Sequence, residues 1–235
     1  MSILYLQLEG PLQSWGSHSK FWRRDTLPFP TRSGVTGLLF CAMGLSGPQR
    51  SRLSVLAQLP FEVVQYQQSQ QAVSRALTDL QMVGSAYDES DPWEMLLVPR
   101  KSDGKKPKNS GVKMTYRHYL QSAYFAAFIG IPDEWATEVE SAMKCPKWDL
   151  YLGRKSCAPS SIIFHGIYAS MLDAKEAFER ELKGRTGDPW KVIRVVKEVS
   201  AEQPGAVMLH DVPVQFGERK VYGYRFVSVQ VPKSE

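Results

Sequence analysis

The chain has 235 residues, 43% of them hydrophobic and 23% charged, with a formal net charge of +5 and a pI near 9.0. That is enough chain for a real core in one elaborated domain or two small ones, with no apolar run near the ~20 residues of a bilayer span. No secretion signal is read in MSILYLQLEG, and Cys41, Cys145 and Cys157 form no CxxC pair, which excludes a disulfide framework and points to a reducing, cytoplasmic compartment. His18, His118, His165 and His210 are scattered, so neither a metal site nor a cofactor is expected.

Ile3 to Glu9 alternates, with Leu4, Leu6 and Leu8 on one face and Ile3, Tyr5, Gln7 and Glu9 on the other. This predicts a half-buried strand, ended by Gly10-Pro11. The loop that follows, residues 13 to 30, is rich in aromatic and basic side chains. Val35, Leu38, Leu39, Ala42 and Leu45 then form one helical stripe, with Thr31 or Ser33 as the N-cap and Gly44 near the end. A helix near Arg50 to Gln58 leads to a strand at Phe61 to Gln67.

Residues 68 to 113 show little periodicity, the mark of an insertion, read here as a hairpin with Trp93 to Val98 as one arm. Its segment RKSDGKKPKNSGVK carries Lys105, Lys106 and Lys108 among six basic residues against one Asp. It reads either as a solvated loop or as an arm that closes over a phosphate backbone. Residues 99 to 111 are expected to be mobile until a partner orders them.

A central strand is predicted at Thr115 to Ile131, an amphipathic helix from Asp133, and a strand in IIFHGIYAS. The order is βαββαβ, the ferredoxin-like and RRM-like pattern of an α+β protein. A helix at 173 to 183 and strands at Lys191 to Val199 and Lys220 to Val231 form a smaller C-terminal β-rich unit. The division expected is 1–170 and 171–235.

Three stretches combine small residues with polar or basic ones. LEGPLQSWG contains Ser14, Trp15 and Gly16, and Trp15 either stacks a base or caps the core. FPTRSGVTGLL opens the first helix with Thr31, Arg32, Ser33 and Gly34; free N–H groups, a bare backbone and Arg32 make an anion site there. YLGRKSCAP contains Leu152, Gly153, Arg154, Lys155 and Ser156, a tight turn with two cations and a hydroxyl. Taken singly, each reads first as ordinary capping, core or surface turn.

Together with TYRHYLQSAYF and PKWDLYLGRKSCAP, these stretches resemble, in order and spacing over about residues 1 to 170, the CasD-type subunits of Cascade. Those subunits are the subtype I-E branch of the fifth Cas protein family, in CRISPR RNA-guided surveillance complexes. The resemblance implies a modified ferredoxin-like palm with an inserted hairpin thumb, matching the 68–113 insertion. It also implies a non-catalytic ribonucleoprotein subunit that binds the 5′ handle of the mature crRNA and caps the backbone filament. Implied partners are the neighbouring backbone subunit and the large subunit, with target DNA met indirectly through the complex and no membrane. The three stretches would then converge on one RNA segment, held by Arg32, Arg154, Lys155 and backbone N–H groups, with bases stacked on aromatics such as Trp15.

An enzyme reading stands beside this. In the related subtype I-C branch the corresponding protein is an endoribonuclease that processes precursor RNA, and Lys113, Tyr116 and His118 lie close in sequence. Strand alternation puts Tyr116 and His118 on one face and Lys113 on the other, unless Lys113 lies in the preceding loop. The subtype I-E resemblance implies a separate processing subunit, so His118 reads as a structural strand histidine. P-loop, GxGxxG, GxSxG and HExxH motifs are absent.

Overall fold

The computed structural model describes residues 1–235 apart from 17, 18, 20, 21, 70–75, 84–89, 98, 99, 101, 106–112, 188 and 233–235. Its strands are β1 (Ser2–Gln13), β2 (Arg23–Arg24), β3 (Phe61–Gln68), β4 (Ala76–Val83), β5 (Lys113–Ile131), β6 (Phe164–Tyr168), β7 (Trp190–Val199), β8 (Val207–Gln215) and β9 (Val221–Gln230). The helices are α1 (Arg32–Met43), α2 (Arg50–Ala57), α3 (Pro92–Leu97), α4 (Ala136–Lys144) and α5 (Met171–Gly184). All nine strands belong to one sheet in the order β6-β1-β5-β3-β7-β9-β8, with β2 and β4 added along β5. The pairings are antiparallel except that of β2 with β5. No helix among the described residues is long and apolar enough to cross a membrane.

The sheet is covered on both faces. Leu4, Leu6 and Leu8 of β1 pack in one core with Val35, Leu38 and Leu39 of α1, Leu53 and Leu56 of α2, and Val139 and Met143 of α4. Ile3 and Tyr5 face the other way, into a second core with Val64, Tyr66, Phe128 and the α5 residues Ala174 and Phe178. This corrects the half-buried reading of β1, because α5 covers the face that looked polar. Gln7 and Glu9 are buried there and satisfied by Arg185 at the end of α5, as buried polar groups must be.

One long strand, β5, serves two neighbourhoods. Residues Tyr124–Ile129 pair with β3, whereas Lys113–Leu120 pair with β4. Between them the register with β1 skips Pro11 and Ser122. Pro11 has no N–H to donate, and Ser122 takes a φ of +46°, so the ladder is interrupted where the strand changes partners. The hairpin arm is therefore β4, and the expected strand at Trp93 to Val98 is instead the helical turn α3. There the Asp91 carboxylate accepts from the Trp93 N–H at 2.8 Å, a local capping contact that a strand would not use. Much of the 99–111 stretch, including Lys106 and Lys108, lies outside the described residues.

The C-terminal strands continue the same sheet strand to strand. β7 pairs with β3, and Val196, Leu209 and Val227 share the core of α1 and α2. No break in the sheet coincides with residue 170.

Candidate nucleic-acid groove

Gln13 sets the geometry where β1 ends. Its buried side-chain amide donates to the carbonyls of Leu8 and Ala123 at 2.8 and 2.7 Å, and its oxygen accepts from the Trp15 indole N–H at 3.0 Å. Trp15 is 1% exposed and its ring lies against the start of α1. A Cβ built on Gly34 would come within 2.8 Å of Trp15 Cε3. Of the two sequence readings, the burial of Trp15 fits the one in which it caps the core. Gly34 is bare so that the indole can pack on it, not so that a ligand can approach.

Ser14 is tied to the second turn. Its N–H donates to the Leu152 carbonyl at 3.1 Å, and its hydroxyl to that of His118 at 3.1 Å. Gly153 has a φ of +90°, and a Cβ there would meet the Ser14 carbonyl oxygen at 1.8 Å. Only glycine fits. The turn closes on itself through Leu152 N–H to Cys157 O and Cys157 N–H to Arg154 O, both 2.8 Å.

Arg32 departs from the expectation of a phosphate ligand. It is 4% exposed; its guanidinium donates to Glu198 and to the carbonyls of Leu56 and Leu59. Its backbone N–H donates to Asp211 at 2.8 Å, and Arg225 holds the same carboxylate at 2.7 and 2.8 Å. The protein thus supplies its own anion to the positive end of α1. Gly34 N–H is taken by the N-cap Thr31 at 3.2 Å and Val35 N–H by the Thr31 carbonyl. Among the described residues, Ser33 has the one N–H of that turn left over.

Around these turns opens a cavity of about 590 Å³. Its walls include Ser14, Trp15, Gly16, Thr31, Ser33, Gly34, Gly153 and Arg154, so the structure brings the three stretches together, with Arg32 turned away into the core. Among the described residues the cations on the walls are Arg24, Arg154 and Lys220, and none of the lining residues is a carboxylate. A smaller hollow of about 350 Å³ shares Arg24, Ser33, Lys220 and Tyr222 and adds His210.

Arg154 is the best positioned of the three cations. It stacks 4.8 Å from the Tyr119 ring centroid and donates through Nη2 to the Arg24 carbonyl at 2.9 Å. Its Nη1 is buried without a partner among the described residues, a donor that lacks an acceptor there. Burial raises the pKa of the Tyr222 phenol, which therefore stays neutral and can donate. Burial, then the Asp149 carboxylate, raises that of the Cys41 thiol, so Cys41 on the groove wall is no thiolate nucleophile.

Other expected residues lie elsewhere. Lys155 lines a separate depression with residues 146–151, and Ser156 is exposed beside it. Lys105 sits exposed in a turn where its N–H donates to Asp103 at 3.0 Å. His118 is held between Asp25 (3.4 Å) and Thr78 (3.0 Å), which suits the structural reading. Sequence reasoning missed Arg24, His210, Lys220 and Tyr222. The run ERKVYGY carried a signal for two of them, a basic pair beside alternating tyrosines.

Comparison with known proteins follows the same lines. The family model described as CRISPR-associated protein (Cas_Cas5) matches residues 3–228, well past residue 170. The chain is 30% identical over 168 residues to the CRISPR system Cascade subunit CasD of Escherichia coli (strain K12), covering 70% of each chain. Among solved structures it is similar to a chain of a CRISPR RNA-guided surveillance complex, with a TM-score of 0.72, 26% identity and coverage of 97% and 89%. It is also similar to a structure described as a crystal structure of a Cas protein, with a TM-score of 0.63, 29% identity and coverage of 97% and 94%. The chain belongs to the Cas5 family of CRISPR-associated proteins.

Proposed function

We propose that this Cas5 protein is a non-catalytic RNA-binding subunit of a Cascade-type surveillance complex, and that its groove holds the 5′ handle of the crRNA. The observation that carries the reading is the cavity walled by Arg24, Arg154 and Lys220 with no carboxylate among the described lining residues, in which Arg154 Nη1 is a buried donor without an acceptor among them. A phosphodiester oxygen is the acceptor such a donor lacks. The open groove suits single-stranded RNA with unstacked bases better than a duplex.

The β6-β1-β5-β3 part of the sheet, with α1 and α4 against one face, is read as the ferredoxin-like palm. The β4–β5 hairpin is read as the thumb. Its exposed Leu80, Met82 and Met114, with Met82 directly opposite Met114, supply an apolar surface for a neighbouring backbone subunit. The large subunit and, indirectly, target DNA complete the proposed set of partners.

The test is purification of the full chain with the other subunits and sequencing of the RNA that comes with it. A discrete RNA should be retained, with affinity falling steeply as salt rises, by about 0.7 in log–log slope for each phosphate neutralised. Arg154→Ala and Lys220→Ala should each weaken retention and flatten that slope. RNA retention indifferent to salt and to both substitutions would overturn the reading. A discrete cleavage product in EDTA, lost in His118→Ala, would replace it with the nuclease.

A further inference from the structure

With Trp15 buried, its ring leaves little face open to a base. The neighbouring strands supply such a face. In the β8–β9 ladder Leu209 pairs with Arg225 and Val212 with Gly223, so His210 and Asp211 together stand opposite the single residue Tyr224. This is a β-bulge, and a bulge re-aims side chains. Asp211 goes inward to Arg225 and the start of α1. His210 goes outward, onto the wall it shares with Lys220 and Tyr222.

The His210 ring stacks on Tyr224 with centroids 4.5 Å apart and planes at 27°, and meets Tyr222 edge-on at 6.2 Å and 74°. Its orientation is fixed by a 2.8 Å contact between Nε2 and the Tyr222 carbonyl. A carbonyl only accepts, so Nε2 carries the proton. Tyr224 is 64% exposed: His210 lies against it, and much of the rest of its surface is open to solvent. Strand spacing puts it about 7 Å from Tyr222 along β9, just outside the cationic cavity.

A large, rigid aromatic surface left in water beside a groove whose described charged residues are all cations matches the pairing of charge and stacking that holds single-stranded nucleic acid. We propose that the Tyr224–His210 pair is a stacking platform for one base of the RNA strand whose phosphates lie along Arg24, Arg154 and Lys220. The inference rests on the RNA-binding reading of the groove and assigns it a residue pair from the C-terminal strands.

The experiment uses the full chain and a short single-stranded RNA carrying 2-aminopurine at one position at a time. Binding should quench the fluorescence at one position. Tyr224→Leu, which keeps bulk and removes the π-face, should abolish that quench and weaken binding about five-fold to a hundred-fold. Tyr224→Trp should restore both, and the melting temperature of both variants should match that of the wild type. RNA that binds with no quenched position, or with a quench that Tyr224→Leu leaves intact, overturns the platform while the groove reading stands. Failure of the wild-type chain to bind the RNA at all removes both.

Discussion

Arg32 and Arg154 show how two arginines beside similar glycine-containing turns come to opposite uses. Arg32 has all its acceptors within the chain: Glu198 and two carbonyls at the end of α2. Arg32→Ala takes a donor from the Leu56 and Leu59 carbonyls and breaks a largely buried ion pair, so it should cost about 3 kcal/mol of stability. A denaturant titration reads that loss, and RNA affinity of the folded fraction should not change. Arg154→Ala reverses the pattern: stability within about 1 kcal/mol of wild type, with loss of RNA retention. Gly153→Ala should fail by a third route. Its φ of +90° and a Cβ at 1.8 Å from Ser14 O force the two turns apart. A cost of at least about 2 kcal/mol is expected, together with weakened RNA binding because the groove wall itself moves. A Gly153→Ala protein with wild-type stability and binding would show that the Ser14–Leu152 tie does not shape the site.

At the scale of elements, α1 and α5 were legible in the sequence because apolar spacing and a side-chain cap agree along them, whereas β1 was legible as a strand but not in its burial, since both its faces are covered. Thr31 caps α1 and Gly44 ends it at a φ of +69°. β8 was not legible: Pro213, Asp211 and His210 interrupt its alternation, and it tolerates them as an edge strand with register shifts. The groove was half legible for the same reason, since its third wall comes from β8 and β9. The attachment of α5 is the other element that sequence left obscure. The phenol of Tyr66 donates to Glu9, which also holds Arg185, and Tyr5 hydrogen-bonds with Gln7 and Glu181. Burial above all, and next the Glu9 carboxylate, drives the Tyr66 pKa well above its ordinary value; burial raises that of Tyr5 too. These folded-state values lie above the unfolded one near ~10, so their stabilisation is complete below about pH 10. Above it the unfolded chain ionises first, and stability should fall by up to about 1.4 kcal/mol per pH unit per tyrosine. Tyr66→Phe should lower stability at neutral pH yet flatten that alkaline slope, as read from chemical denaturation at several pH values. An unchanged slope would mean that Tyr66 ionises freely in the folded protein.

The whole molecule is governed by the sheet's continuity, which composition and motif order do not encode. A resemblance that fades after residue 170 suggests a palm followed by an appendage, but β7 is hydrogen-bonded to β3 and α5 lies over the second core. Removing residues 171–235 would leave β3 without one neighbour and expose Ile3, Tyr5, Val64, Tyr66 and Phe128. At about 1.5–3 kcal/mol for each large apolar side chain, that burial is on the order of 10 kcal/mol. The net stability of a protein of this kind is roughly 5–15 kcal/mol, so the loss is as large as the whole margin. The truncation would also remove Asp211 and Glu198, leaving the Arg32 backbone N–H and guanidinium without acceptors they now have. Residues 1–170 expressed alone should therefore show no cooperative thermal transition and should associate through the bared β3 edge, whereas the full chain melts in one step. A monomeric 1–170 fragment with its own sharp transition would show instead that residues 1–170 fold unaided, and that the C-terminal strands are present for the groove alone.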